Sequence, residues 1–226
     1  MKLDNINRAE AFRYLGYGSS APDGQTMEIA GDCEEKLLSV IDAKYTYRYF
    51  KIDWADSTAG ETVLDGTTFR LCGHSIAGHL EGCDGAVLLA VTLSEGVDRL
   101  IRQLSVKSMS AALIADSMAS AAVEQVCDIV EHEILRQFEG KYSTWRFSPG
   151  YGDFPLESQR EFLDVLSAQK RIGVNITGGG LMTPCKSVTA VIGISGSRIE
   201  KKRSGCSVCS MKDICTFRKK GEHCGA

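Results

Sequence analysis

Apolar and polar positions recur with different periods along this chain, and the changes of period divide it into elements. Residues 7–16 and 22–41 read as amphipathic helices. In the second, Met27, Ile29, Leu37, Leu38 and Ile41 recur at roughly helical spacing, and Pro22 after Ser20-Ala21 marks a start. Over 44–53 the period drops to two. Tyr45, Tyr47 and Tyr49 alternate there with Thr46, Arg48 and Phe50, which predicts a strand with an aromatic face. That tyrosine row either stacks on a flat cofactor or packs between sheet and helix. Residues 61–71 predict a hairpin closed by Asp65-Gly66 as a tight two-residue turn. A short helix over 75–81 is broken by Gly82-Cys83-Asp84-Gly85, and the apolar, β-branched run 86–93 has the length of a buried strand.

A helix over about 95–105 precedes the longest helical pattern, Ser108–Phe138, whose 31 residues would span about 46 Å. Met109, Leu113, Ala119, Val123, Val126, Val130 and Ile134 set out its buried stripe. Strands over 143–147, 174–177 and 187–195, with a helix over 157–169, complete the pattern. The fold class that follows is α+β, a mostly antiparallel central sheet with flanking helices. Residues 1–198 are expected to form one domain whose first 42 or so residues are helical, with 199–226 a short Cys-rich tail.

Two places interrupt the apolar pattern with chemistry. Asp116 breaks the long helix's stripe, and Asp116, Ser120 and Glu124 lie one turn apart on a shared polar line. A carboxylate there needs a partner, so the line either contacts a ligand or meets solvent at a groove. Downstream, Arg146-Phe147-Ser148-Pro149-Gly150-Tyr151 offers a guanidinium, a restricted bend and an aromatic hydroxyl within six residues. Pro149 fixes its own φ and extends Ser148, Gly150 admits backbone angles closed to other residues, and Arg146 can grip a carboxylate with two parallel hydrogen bonds. The alternative is an ordinary turn with a surface arginine.

Composition narrows the function. At 226 residues, 43% hydrophobic and 24% charged, the chain can bury a core. No apolar run reaches the ~18 residues of a membrane span, and the first residues lack the apolar stretch of a signal peptide, so a cytoplasmic protein without membrane association is expected. Residues 198–226 carry eight Lys/Arg and three Asp/Glu, which makes that segment +5 and the remainder −8 of the net −3. That tail is a partner-recognition element or simply solvated. It also holds Cys206, Cys209, Cys215 and Cys224, a spacing that would chelate an iron–sulfur cluster or a zinc ion, unless the four are unligated thiols. Cys33, Cys72, Cys83, Cys127 and Cys185 read as small core residues or isolated thiols. His74 and His79, five apart, do not share a helical face. No Ser-His-Asp arrangement and no basic–aromatic interleaving is present, so nucleic acid is not an expected partner. The loop Thr177-Gly178-Gly179-Gly180 lacks the lysine–serine pair of a P-loop, but its bare backbone would suit close approach to an adenosine or a corrin edge.

The R-x-x-x-G-Y pattern of Arg146–Tyr151 resembles the signature of the activation domain of cobalamin-dependent methionine synthase. Residues 115–124 are similar to that family's Ala-Asp-rich helix, and Ile176-Thr177 followed by Met182-x-Pro184 and Ser187-Val188 to its T-x-x-x-x-M-x-P-x-x-S-V segment. These matches stand in the right order over roughly 108–195, and the N-terminal hundred residues look like the free-standing bacterial versions. The resemblance implies S-adenosylmethionine binding and reductive re-methylation of cob(II)alamin held on a corrinoid methionine synthase, with flavodoxin or ferredoxin as reductant. Arg146 would then hold the methionine carboxylate, the main chain near Ser148 and Gly150 the adenosyl part, and Glu139 the ammonium. Tyr151 would face the corrin, and Asp116, Glu124 and Thr177 would border the ligand. Service to a different corrinoid methyltransferase, as a docking or electron-transfer accessory, is the alternative. This chain departs from the family at Ser120, where an acidic residue is usual, and at Gly152-Asp153, where a proline is more common.

Overall fold

Residues 85–92 run apolar without interruption because the strand they form has no solvent face: every residue from Gly85 to Thr92 is buried. The structure is a computed structural model that describes residues 1–17 and 20–199. In chain order its elements begin with helices α1 (Arg8–Tyr14) and α2 (Gly24–Val40), strands β1 (Lys44–Thr58), β2 (Glu61–Leu64) and β3 (Arg70–Cys72), and helix α3 (His74–Leu80). Strand β4 (Gly85–Thr92) and helices α4 (Glu95–Lys107) and α5 (Met109–Leu135) follow. The remainder is β5 (Tyr142–Ser143), α6 (Gln159–Val165), α7 (Ala168–Ile172), β6 (Asn175–Ile176), β7 (Met182–Thr183) and β8 (Ser187–Ser195).

Six strands form one antiparallel sheet in the order β3-β2-β1-β4-β8-β5. Strand β4 is held on both edges, Lys44↔Thr92 through Lys51↔Gly85 against β1 and Gly85↔Ile194 through Thr92↔Ser187 against β8. Its side chains divide the core by parity. Val87, Leu89 and Val91 point into a cluster with α1, α2, α4 and α5, while Ala86, Leu88 and Ala90 point into another with α3, α6 and α7. Each large side chain buried this way stabilises the fold by roughly 1.5–3 kcal/mol. The expected α+β class and antiparallel sheet are therefore present, with the helices in two layers.

Helix α5 crosses one face of the sheet. Ser108 opens it, its hydroxyl accepting the Ala111 N–H at 3.3 Å. Ala112, Ala115, Ala119, Ala122, Val126, Val130 and Ile134 form the buried line, so the expected stripe is correct from Ala119 onward and wrong before it. Met109 and Leu113 are 73% and 59% exposed. An alanine-rich helix carries apolar residues on more than one face, and the small side chains allow the closest approach to neighbouring elements. The tyrosine row packs on this layer. Tyr45 donates to Glu133 at 3.0 Å, Tyr47 accepts from Gln137 at 2.7 Å, and the Tyr49 ring lies 5.1 Å from that of Phe138. Cys33, Cys83 and Cys127 are buried, and Cys72 and Cys185 are also free thiols.

Other expectations are corrected. Asp65-Gly66 does not close a two-residue hairpin. Val63 pairs with Arg70, because Leu64 and Phe69 are drawn into the core and widen the loop. The helix expected over 157–169 splits at Ser167, which adopts φ +52, into α6 and α7. Residues 174–177 do not join the central sheet, since Asn175 and Ile176 pair only with Thr183 and Met182 in a separate ribbon. Helix α2 is started by Asp23, whose carboxylate accepts the Thr26 N–H at 2.8 Å, rather than by Pro22. Among the described residues no helix is long and apolar enough to cross a membrane.

The two-sided packing of β4 generates a prediction at its first residue. A methyl group added at Gly85 would lie 2.5 Å from the Phe50 carbonyl oxygen and against the Tyr49 hydroxyl. Gly85→Ala should cost about 2–3 kcal/mol and lower the thermal midpoint by roughly 5–10 °C in a calorimetric scan.

Candidate functional site

The strand expected over 143–147 is broken, and the break positions the arginine. Only Tyr142 and Ser143 form β5, and pairing resumes as a single bridge between Phe147 and Val191. In between, the Thr144 hydroxyl accepts the Gly193 N–H at 2.8 Å in place of a backbone carbonyl. The Trp145 carbonyl is turned to the ring of His79, 2.9 Å from Nε2. A carbonyl acceptor requires the proton on Nε2, and Nδ1 is then a buried acceptor without a partner among the described residues. Desolvation by burial holds the His79 pKa down to about 4, against the opposing pull of that hydrogen bond. The imidazole sits between the Trp145 and Phe147 rings, at 4.5 and 4.9 Å. His74, by contrast, directs Nδ1 to the Ala59 carbonyl.

Released from the ladder, Arg146 reaches α5. Its guanidinium meets Glu131 at 2.5 Å, Asp128 at 2.7 Å and Glu124 at 3.2 Å. Burial alone would lower the arginine's pKa. The hydrogen bond to Asp128 and the nearby negative charges outweigh it, so the group is more firmly cationic than a free arginine. Beneath the acids, burial pushes the Cys127 thiol up to about 12, which leaves it unreactive.

Glu124, Asp128, Glu131, Trp145, Arg146, Ser148, Tyr151 and Val188 line a cavity of about 320 Å³. Four residues expected from the sequence, Glu124, Arg146, Ser148 and Tyr151, are thus brought together. Gly150 shapes the bend beside them. It adopts φ +92 and donates its N–H to the Phe154 carbonyl at 2.8 Å, while Tyr151 N–H closes on the Ser148 carbonyl at 3.0 Å. The Tyr151 ring is 57% exposed and stands edge-on to Phe147.

The other expected residues lie outside the cavity. Asp116, two turns along α5, pairs with Lys186 at 2.8 Å, and the same ammonium bonds the Ser120 hydroxyl at 2.9 Å. The interruption of the stripe is therefore an ion pair outside the cavity lining. Glu139 is exposed beyond the 3-10 turn that ends α5. Thr177 is exposed in the β6–β7 loop, its hydroxyl accepting the Leu181 N–H at 3.2 Å. Cys206, Cys209, Cys215 and Cys224 lie outside the described residues.

Asp128 and Glu131 were missed, although they continue the Asp116–Ser120–Glu124 line at helical spacing and were open to detection. Asp153 had no local signal. Its two oxygens accept the N–H groups of Ser75 and His74, both at 2.8 Å, so it caps α3 from 78 and 79 residues away. Those bonds, Ser75's first, hold its pKa down to about 2.

Fold and site together define an α+β protein with an open, charged surface groove beside exposed aromatic rings. The family model for the activation domain of vitamin B12 dependent methionine synthase matches residues 76–198, just over half of the chain, and the chain belongs to that family. Among solved structures, it is similar to the crystal structure of the MetH reactivation domain bound to AdoHcy. That likeness has a TM-score of 0.63 at 14% identity and covers 96% of this chain and 82% of the other. No curated protein sequence matches.

Acid should weaken the fold in two stages. His79 is neutral when folded with a pKa near 4 against an ordinary 6.5, so its contribution is complete above about pH 6.5 and lost as pH falls toward 4. Asp153 is depressed from 3.8 to about 2, so its contribution holds above about pH 4 and disappears toward pH 2. Denaturant titrations from pH 7 to pH 4.5 should lose on the order of 2–3 kcal/mol, and His79→Phe should flatten that slope. Asp153→Asn should flatten only the lower stage.

Proposed function

We propose that this chain binds S-adenosylmethionine in the Arg146 cavity and acts as the reactivating module of a corrinoid-dependent methionine synthase. The observation that carries the reading is the convergence of Glu124, Arg146, Ser148 and Tyr151 on one groove, in a chain that belongs to the activation-domain family. The related reactivation domain has been solved with AdoHcy bound, the demethylated form of that ligand, which supports the choice.

Three carboxylates already hold the two terminal nitrogens of Arg146, Glu131 on Nη1 and Glu124 and Asp128 on Nη2. Binding a zwitterionic amino acid would therefore proceed as an exchange. The ligand's carboxylate replaces one acid on the guanidinium, and its ammonium neutralises the acid set free. Glu124, the longest of the three contacts at 3.2 Å, is the acid to be released. Such a swap keeps three anionic partners on the guanidinium and fixes the amino-acid end, while Ser148 and the Gly150 bend border the adenosyl part. The exposed Tyr151 ring would face the corrin of the partner protein.

The chemistry asks little acid–base assistance from the chain. Cobalt(II) takes one electron from an external reductant such as flavodoxin or ferredoxin. The resulting cobalt(I) then attacks the methyl carbon, and the carbon–sulfur bonding pair stays on sulfur as the thioether leaves. The protein's role is to hold the methyl in line with the metal, where small misplacements are expensive. The four tail cysteines would hold an iron–sulfur cluster or zinc, which visible absorbance and metal analysis of anaerobically prepared protein distinguish.

Calorimetric titration with S-adenosylmethionine tests the site. Arg146→Ala should lose roughly 2–3 kcal/mol of binding. Arg146→Lys, which keeps the charge without the bidentate fork, should fall between. Unchanged affinity in both variants removes Arg146 from the site. Methylation of a cob(II)alamin-loaded partner in the presence of reductant, followed by its visible spectrum, tests the reactivating role itself.

A further inference from the structure

We propose that His79 is a positioning residue for the Arg146 site. Its Nε2–H, bonded to the Trp145 carbonyl, locks a one-residue bulge in the edge strand, and that bulge decides the face of the sheet from which Arg146 emerges. The bulge follows from strand pairing alone, while its effect on ligand binding rests on the reading of the Arg146 cavity as the S-adenosylmethionine site.

Ser143 pairs with Ile194 and Phe147 with Val191, so four steps along one strand are matched by three along its neighbour. The Thr144 N–H still meets the Gly193 carbonyl, which leaves Trp145 and Arg146 together opposite Ile192, the count of a β-bulge. The extra residue changes what faces what. Val191 points into the core with α3, α6 and α7, and Phe147, opposite it, packs on that same core. Arg146 therefore points the other way, to α5 and its acids. Continued from Ser143 without a bulge, the ladder would set Arg146 opposite Val191 and turn the guanidinium into the apolar core, because a slip of one residue exchanges the faces.

A relay of side-chain bonds replaces the ladder bonds that the bulge removes. The Gly193 N–H donates to the Thr144 hydroxyl at 2.8 Å, and that hydroxyl donates to the Trp145 carbonyl at 3.2 Å. His79 Nε2 donates to the same carbonyl at 2.9 Å from 66 residues away, so it ties the bulge to the buried helix α3. The imidazole packs between the Trp145 and Phe147 rings, and its Nδ1 is buried without a partner among the described residues. Packing alone would be served as well by phenylalanine, which has no nitrogen to leave unpaired. What the imidazole adds at this place is the donor.

Two variants separate the donor from the ring. His79→Phe keeps the aromatic packing and removes the donor, whereas His79→Gln restores an N–H near the place of Nε2 and loses the ring. Calorimetry measures S-adenosylmethionine affinity, a thermal scan measures stability, and nuclear Overhauser contacts of the Val191 backbone with Phe147 or with Arg146 read the register. His79→Phe should lose roughly ten- to a hundredfold in affinity and show Val191 against Arg146, while His79→Gln keeps Phe147 there and binds within about threefold of wild type. A purely structural role would follow the thermal midpoint instead, with the ring-deleted His79→Gln the worse of the two. Wild-type affinity and register in His79→Phe overturn the proposal, as does His79→Gln binding as weakly as His79→Phe. Affinity lost in His79→Phe with Phe147 still against Val191 overturns the register mechanism. If the wild type does not bind S-adenosylmethionine, the site reading falls, and the register in the two variants still decides what His79 does to the strand. The nitrogen spectrum of the wild-type imidazole needs no variant: a proton on Nε2 is expected, and a proton on Nδ1 instead sinks the proposal even where His79→Phe fails to fold.

Discussion

Strand β4 has hydrogen-bonded neighbours along both edges and helices over both faces, and that double burial decides where everything else must go. Its even and odd residues feed two separate cores, so each neighbouring strand must present side chains to both layers in register. The closeness of this packing is visible at Gly85 and Gly193, where a methyl group would collide with Phe50 and Cys83. Helix α5 meets the same demand with alanines, which bring its axis close to the layers around it.

The groove follows from where that regular packing stops. At Thr144 a hydroxyl substitutes for a backbone acceptor, and the Trp145 carbonyl is surrendered to His79. The chain rejoins the sheet only at Phe147, and Arg146 lies in the gap. On the far side of the bend, Asp153 ties the segment to the first turn of α3. The bend is thus pinned at both ends by groups from α3, His79 and the backbone of His74 and Ser75. A single short helix on one face of the sheet supports a site that opens toward the helix on the other.

Electrostatics gives the groove its character. A guanidinium that is mostly shielded needs counter-charge, and α5 supplies more than one partner requires. Surplus charge at a half-open surface is tolerable because water screens the outer acids. Further along α5, the Asp116–Lys186 pair is balanced.

Much of this was legible in the chain alone. The unbroken apolar run predicted β4, the tyrosine alternation predicted β1, and the helices from α1 to α5 were placed within a few residues, because burial on one or two faces imprints a period on the sequence. Arg146, Ser148, Tyr151 and Glu124 were also recognisable, since a bend, a guanidinium and a polar line on a helix are local patterns. What the sequence could not express were relations between distant segments. It assigned Met109 and Leu113 to the core of an alanine-rich helix whose several apolar faces are equivalent until neighbours pack against one of them. It grouped Glu139 and Thr177 with the Arg146 bend, and neither lines that cavity. It gave no hint that Asp153 caps a helix, that His79 receives the turned carbonyl, or that three carboxylates close on one arginine. Periodicity records which side of an element is buried. Only tertiary packing decides which charges, 15 to 22 residues apart in the case of Arg146 and its acids, share the same few ångströms.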